Sequence, residues 1–300
     1  MEPLRLTFLG TGSAIPTKKH NHTAFLISYR DENLLFDCGE GTQRQFRYAN
    51  LSPTKITRIF LTHWHGDHIL GIPGLLQTLA LNNYNKKLYI YGPKGTKHFM
   101  EKLFETFVFV GNINHEIKEI DSNKVLETSD FIVEAGRTTH GTESLCYSFI
   151  EKTKTRLDKK KLKKLKVPNS PLLKDLAQGK DIIINGKKIK AKDVVYTQKG
   201  RKITIITDTK LNNNLLSIAE NSDILICEAS FDKSQIETAE EYNHLTSEQA
   251  ATIAKKSKSK ALYLTHLSQR YDANQKLIEN EAKKIFKNSK LANDLDVVEI

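Results

Sequence analysis

One hexapeptide in this chain has the makings of a metal site: His63-Trp64-His65-Gly66-Asp67-His68. With 10 His in 300 residues, the pattern His-x-His-x-Asp-His arises by chance in about one such protein in a thousand, so coincidence is a poor account of it. Imidazole nitrogen and carboxylate oxygen are good zinc ligands. On a turn, residues two apart point to one side, so His63 and His65 can grip one ion while Asp67 and His68 reach a second. A pair of ions needs about seven or eight protein contacts. The hexapeptide supplies four, and distant residues must supply the rest. His140, in Thr138-Thr139-His140-Gly141, Asp208 and His266 are the candidates. An aspartate can set one oxygen on each ion, which suits Asp208 to a bridging role. Two ions about 3.5–4 Å apart clamp the attacking and leaving oxygens of a phosphoryl displacement and bring water toward hydroxide at neutral pH. Asp67 is placed to orient that hydroxide and take its proton. A lone histidine is more commonly a satisfied core or surface residue, and His140 by itself would be read so. The cluster of four is not.

Glu228 and His244 form a second candidate pair. A histidine held by a carboxylate can donate a proton to a departing oxygen, although nothing in the spacing brings these two together. Asp37 closes a strand before Gly39 and can orient a ligand histidine from behind; alone, such an aspartate is usually a turn residue.

These side chains need elements to carry them. Short β-branched or aromatic runs, bounded by Gly, Asn or charge, predict strands at Leu4–Leu9, Thr23–Tyr29, Leu34–Asp37, Ile56–Thr62, Leu88–Tyr91, Phe131–Glu134, Leu145–Ile150, Lys202–Thr207, Ile224–Cys227 and Ala261–Thr265. Helices are expected at Gly71–Leu81, Lys97–Phe107, Thr246–Lys255 and Asn274–Ile285, the third opening on the capping-box pattern Thr246-Ser-Glu-Gln249. Interleaved strands and helices imply an α/β or α+β domain with helices laid over sheets. Four strands run straight into His63, Asp208, Glu228 or His266, and sites in open α/β sheets gather at the carboxyl ends of strands. One shared site is expected there.

The charge is uneven. Residues 151–202 hold 18 Lys and Arg against five acidic residues, a net of +13 within a whole-chain net of +11, so the remaining 248 residues carry −2. The densest stretch is Lys159-Lys160-Lys161-Leu162-Lys163-Lys164-Leu165-Lys166, where the two leucines share a helix face. Beyond Pro168 and Pro171, Asp181–Ile189 reads as a β-hairpin turning at Asn185-Gly186. Residues 151–195 are therefore expected to form an inserted arm, with 1–150 and 196–300 as the main domain. Most charge runs are solvated faces, but one this long and one-signed also suits nucleic acid, with Lys159, Lys160, Lys161, Lys163 and Lys164 as the contacts.

Hydrophobic content of 39% and charged content of 27% exclude wholesale disorder. No apolar run approaches the ~18 residues of a membrane span. The N-terminal residues alternate like a strand and lack a signal-peptide pattern, so a cytoplasmic protein is expected. Three scattered cysteines, Cys38, Cys146 and Cys227, argue against a disulfide framework and against a cysteine zinc site.

At these residues the chain resembles the tRNase Z family of the metallo-β-lactamase superfamily. The likeness is carried by Phe8-Leu-Gly-Thr-Gly-Ser13, Phe36-Asp-Cys-Gly-Glu-Gly-Thr-Gln43, His63–His68, Thr139-His-Gly141, Asp208-Thr209, Cys227-Glu-Ala229, His244-Leu-Thr246 and Thr265-His-Leu-Ser-Gln-Arg-Tyr271. The first histidine cluster belongs to the whole superfamily; the Phe36–Gln43 stretch, the His244 motif and Arg270-Tyr271 are more particular. The resemblance implies a four-layer αβ/βα sandwich. It implies two zinc ions per subunit, one held by His63, His65, His140 and Asp208, the other by Asp67, His68, Asp208 and His266. It also implies Asp67 as proton acceptor, Glu228–His244 as proton donor, Arg270 and Tyr271 at the substrate, and the basic arm as a grip on the body of precursor tRNA, commonly across a homodimer. Thr207 stands where the family usually has Gly before the aspartate, and Ser170-Pro171 where it usually has Gly-Pro; neither removes a ligand. The expected activity is removal of the 3′ trailer from precursor tRNA. The alternatives are a small-molecule phosphodiesterase or esterase of the same superfamily, which needs the metals but not the arm, and a non-catalytic RNA-binding protein, which needs neither Asp67 nor the His244 pair.

Overall fold

The computed structural model describes residues 2–111, 113–121, 123–184 and 186–300. Two seven-stranded sheets dominate it. The first runs in the order Val297–Glu299, Leu4–Gly10, Ala24–Tyr29, Glu32–Phe36, Arg58–Phe60, Leu88–Gly92, His115–Glu119. Its first four strands pair antiparallel and its last four parallel. The second runs Ser289–Leu291, Leu262–Thr265, Ile224–Glu228, Lys202–Ile206, Leu145–Glu151, Phe131–Arg137, Asn123–Glu127, and its strands from Lys202 to Leu291 pair parallel.

Central strands of both sheets are apolar on both faces, as strands covered on two sides must be. Period-two alternation sorts the faces. Phe36, Phe60 and Tyr91 stack on one another, and Tyr147 of the second sheet meets Phe36 and Phe60 with ring centroids 5.8 and 5.5 Å apart. Phe8 meets Tyr263 and Tyr29 meets Phe149 in the same seam. The intervening residues, Leu35, Ile59 and Ile90, face outward and are buried under Ile72, Leu75, Leu79 and Met100 of helices Ile72–Leu81 and Thr96–Thr106. Helices Asn214–Ala219, Ser247–Lys256 and Lys276–Ile285 cover the second sheet in the same way. The result is the four-layer αβ/βα sandwich that the resemblance implies.

The expected capping box is formed: Thr246 Oγ1 accepts from Gln249 N, and Gln249 Oε1 from Thr246 N. The ladder expected over Ile56–Thr62 covers only Arg58–Phe60: Leu61 N still donates to Tyr91 O, but Thr62 N donates to the Asp37 side chain instead of a strand. A seven-residue helix, Thr42–Tyr48, was not foreseen.

Residues 128–132 and 150–201 form a second compact unit. It reaches further in both directions than the 151–195 arm read from charge, and it recruits a piece from before the arm. Strand Lys154–Leu157 pairs antiparallel with Val195–Gln198. Leu162, Leu176, Ile182, Ile189, Ala191 and Val194 make a small core of its own. Strands Ile182–Ile184 and Lys187–Ile189 form the expected hairpin; Asn185 of its turn lies outside the described residues. Helix Lys159–Lys164 is capped by the Asp158 carboxylate, which accepts from Lys160 N and Lys161 N, and it buries Leu162 while leaving its five lysines exposed. Among the described residues no helix is long and apolar enough to cross a membrane.

Candidate metal centre

Each side chain of the cluster comes from the end of a strand or the loop just after it. His63 follows strand Arg58–Phe60, and His65 precedes the one-turn helix Gly66–Ile69 that carries Asp67 and His68. The stretch Asp37-Cys38-Gly39 seats that helix: Cys38 N donates to His68 O at 2.8 Å and Gly71 N to Cys38 O at 2.9 Å. The approach is so close that a Cβ on Gly39 would lie 2.4 Å from the Asp67 carbonyl oxygen, so only glycine fits. His140 lies in the turn after strand Phe131–Arg137, Asp208 follows Lys202–Ile206, Glu228 ends Ile224–Glu228, and His266 follows Leu262–Thr265.

These ends converge. His63, His65, His140 and Asp208 bring one ligand atom each to within 4.8 Å of one another, and Asp67, His68, Asp208 and His266 do likewise. Asp208 belongs to both sets. Its Oδ1 lies 3.1 Å from His266 Nε2 and 3.2 Å from His68 Nε2; its Oδ2 lies 3.7 Å from His140 Nε2 and 3.8 Å from His63 Nε2. His65 Nδ1 and His140 Nε2 face each other at 3.1 Å, and His266 Nε2 is 3.3 Å from Asp67 Oδ2.

The polar bookkeeping of the site fits metal ions. His63 Nε2, His68 Nε2 and Asp208 Oδ1 are buried with no hydrogen-bond partner among the described residues. Buried polar atoms are normally satisfied, and these three belong to the two clusters whose ligand atoms lie within 4.8 Å of one another. Electrostatics agree. Burial, reinforced by the neighbouring His68, keeps His63 neutral, well below the usual histidine range. Burial opposes the charge on Asp208, but His266 and His68 outweigh it and hold the carboxyl well below its usual range. Asp67 is likewise held ionised against its burial by His266 and His68. Burial also opposes charge on His68, yet Asp208 and Asp37 outweigh it and raise its pKa; a bound cation would displace that proton.

Behind the ligands stands a layer of acceptors. Asp37 is fully buried; its Oδ1 accepts from Thr62 N at 2.7 Å, and its Oδ2 lies 2.7 Å from His68 Nδ1. His140 Nδ1 lies 3.1 Å from the Asn243 carbonyl oxygen. Glu228, also fully buried, accepts from Thr209 N at 2.7 Å, and both its oxygens lie 3.1 Å from His244 Nδ1. Burial works against the His244 imidazolium, but Glu228 outweighs it and the pKa rises to about 9. The His244 ring lies 5.2 Å from that of His140 and 5.4 Å from that of His266.

A cavity of about 430 Å³ opens over the cluster, with Ile15, Phe231, Tyr242 and Arg270 at its walls. Arg270 is exposed, its guanidinium 5.0 Å from the centre of the Phe231 ring. Tyr271, expected beside it at the substrate, is instead buried at 6% exposure, and its hydroxyl donates to Asp232 Oδ2 and accepts from Asp232 N. It anchors the turn that carries Phe231. Sequence reasoning also missed Ile15, Tyr242, Thr62 and Ser230. Ser230 had one available signal, its place two residues beyond Glu228 at a strand end.

Residues 4–165 match the family described as anti-Pycsar protein Apyc1. Over 263 residues the chain is 42% identical to a ribonuclease Z of Nanoarchaeum equitans, covering 88% of this chain and 83% of that one. Over 301 residues it is 37% identical to a ribonuclease Z of Methanosarcina mazei, covering 99% and 98%. The crystal structure of the short form of human tRNase Z is similar with a TM-score of 0.71 at 28% identity, covering 98% of each chain.

Proposed function

The chain belongs to the ribonuclease Z family and is a metal-dependent endoribonuclease of tRNA 3′ processing, and from that premise we propose that it removes the 3′ trailer at the cluster around Asp208, leaving a 3′-hydroxyl on the tRNA and a 5′-phosphate on the trailer. The observation that carries this reading is the division of the Asp208 carboxylate, one oxygen toward His68 and His266, the other toward His63 and His140.

His63, His65, His140 and Asp208 would hold one zinc ion, and Asp67, His68, Asp208 and His266 the other. Bound there, a zinc pair supplies Lewis acidity to the scissile phosphate and lowers the pKa of water. The remaining work falls to side chains. Asp67, kept ionised by its histidine neighbours, accepts the proton of the attacking water. His68 is held in register by Asp37 through Nδ1. The bond between phosphorus and the O3′ of the last tRNA nucleotide breaks as the new P–O bond forms. His244, charged through Glu228, donates its Nε2 proton to that O3′, so the tRNA leaves with a neutral 3′-hydroxyl and the trailer with an anionic 5′-phosphate. Arg270, above Phe231 at the cavity wall, is suited to the phosphate backbone of the RNA.

The arm would hold the tRNA body through Lys159, Lys160, Lys161, Lys163 and Lys164, all exposed on one capped helix. Structured RNA is recognised largely by shape and backbone, which a lysine surface suits. The working form in this reading is a cytoplasmic homodimer. The test is incubation of a 3′-extended tRNA with wild type and Asp67→Ala, with and without chelator, followed by mapping of the product end. Cleavage just beyond the acceptor stem, lost on chelation and lost in the variant, is expected. Equal rates for the two proteins would overturn the mechanism.

A further inference from the structure

Ser230 is 3% exposed and lies between the two halves of the chemistry. Its Oγ is 2.7 Å from Glu228 Oε2, 2.9 Å from the His266 carbonyl oxygen, 3.0 Å from His266 Nδ1 and 3.5 Å from His244 Nδ1. A hydroxyl has one proton to give and two lone pairs to receive with. The direction of each bond then follows from its neighbours. His266 turns Nε2 toward Asp208 and Asp67 at 3.1 and 3.3 Å. A metal-facing Nε2 carries no proton, so the proton sits on Nδ1, and the acceptor it meets is Ser230 Oγ. The serine proton then goes to Glu228 Oε2, since a carboxylate is a stronger acceptor than the competing carbonyl. Glu228 completes the chain by accepting from His244 Nδ1. Thr209 N, next to Asp208, donates to the other Glu228 oxygen at 2.7 Å. The support matters at this position because His266 sits at φ 58°, a left-handed conformation that non-glycine residues seldom adopt.

We propose that Ser230 is a positioning residue: its hydroxyl fixes the tautomer and aim of His266, and through Glu228 it ties the second metal position to the proton donor His244. The proposal rests on the two-ion reading above. It separates Ser230 from a mere packing residue, because it assigns the effect to one ion of the two.

The test uses full-length holoenzymes of wild type, Ser230→Ala and Ser230→Thr. Each is dialysed against a graded chelator series, the zinc retained is counted, and kcat and KM are measured on a 3′-extended tRNA. Loss of an outer partner of a metal ligand typically costs 10- to 100-fold in affinity or activity. Ser230→Ala is therefore expected to release one ion at roughly 10- to 100-fold weaker chelation, while the other is held as in wild type. Its kcat should fall by a similar factor with KM little changed, and Ser230→Thr, which keeps the hydroxyl, should restore both. Ser230→Ala retaining both ions as wild type does, both ions leaving together, or Ser230→Thr matching Ala would each overturn the proposal. A wild type that holds two ions yet cuts no tRNA would sink the functional reading instead, and the metal-release comparison would still decide the role of Ser230.

Discussion

Replacing Asp37 by Asn tests whether a buried carboxylate behind a ligand sets the strength of the metal centre. Asp37 sits at φ 56°, a conformation Asn tolerates, and the two side chains are nearly isosteric. Backbone and volume are therefore left alone. What changes is hydrogen bonding. The carboxylate meets three donors: Thr62 N at 2.7 Å on Oδ1, and Thr62 Oγ1 at 2.8 Å and His68 Nδ1 at 2.7 Å on Oδ2. An amide has one oxygen. Kept on Thr62 N, whose loss would orphan a buried donor at a cost of ~1–3 kcal/mol, it turns its NH2 toward the other two. The Thr62 hydroxyl can rotate and accept. His68 cannot, for its Nδ1–H now faces another donor. The ring must carry its proton on Nε2, the atom 3.2 Å from Asp208 Oδ1 and 3.4 Å from Asp67 Oδ2, which blocks the lone pair a metal needs.

The bond forfeited is charge-assisted and worth about 1.5–3 kcal/mol, which converts to a roughly 13- to 160-fold loss of affinity at about 1.36 kcal/mol per decade. Zinc retained by the holoenzyme against a chelator series measures it directly, with kcat on a 3′-extended tRNA as the second reading. The ion that His68 would hold should be released first. An Asp37→Asn protein that keeps both ions as tightly as wild type and turns over at the same rate would refute the orienting role.

Changing Lys159, Lys160, Lys161, Lys163 and Lys164 to Gln should raise KM for precursor tRNA and flatten the log–log salt dependence of binding by roughly 0.9 for each lysine that met a phosphate, while hydrolysis of a small phosphodiester is unaltered; an unchanged KM and salt slope would refute the part given to this helix in holding tRNA. His244 has its pKa raised to about 9, so the imidazolium is intact at pH 7, and both the proton it would donate in this reading and the stability of its pairing with Glu228 are lost as pH rises through about 9. A kcat–pH series should fall on that alkaline side for wild type, and His244→Gln should lie lower by roughly 10²–10⁴ with the limb flattened; a wild-type profile level to pH 10 or above would contradict the assignment.

What could be read in the chain depended on how far apart the cooperating residues lie. His63, His65, Asp67 and His68 are legible because one loop and one helical turn carry them all. His140, Asp208 and His266 are legible only as polar residues where strands stop, since nothing local distinguishes a strand that stops at a metal from one that stops at solvent. Glu228 and His244 are a harder case. The first ends a parallel strand and the second precedes the helix Ser247–Lys256, and only the packing of that helix on the sheet brings them to 3.1 Å. Tyr271 is the opposite case: a tyrosine beside an arginine near a site reads as a contact in the sequence, and only the structure shows its ring buried and its hydroxyl tied by two bonds to Asp232. Helix Thr42–Tyr48 is shorter than any helix that holds itself together in water; it exists because Phe46 is buried under the first sheet. Strands His115–Glu119 and Asn123–Glu127 escaped because edge strands carry charge and lack the apolar runs of central ones. One consequence ties fold to site. Asp37 and the hexapeptide belong to the first sheet, whereas Asp208, Glu228 and His266 belong to the second. The candidate ligand set therefore spans the aromatic seam of Phe36, Phe60 and Tyr147, and a shift of one sheet along that seam would change the spacing between the two halves of the set. Repacking those rings would reach the chemistry without touching a single ligand.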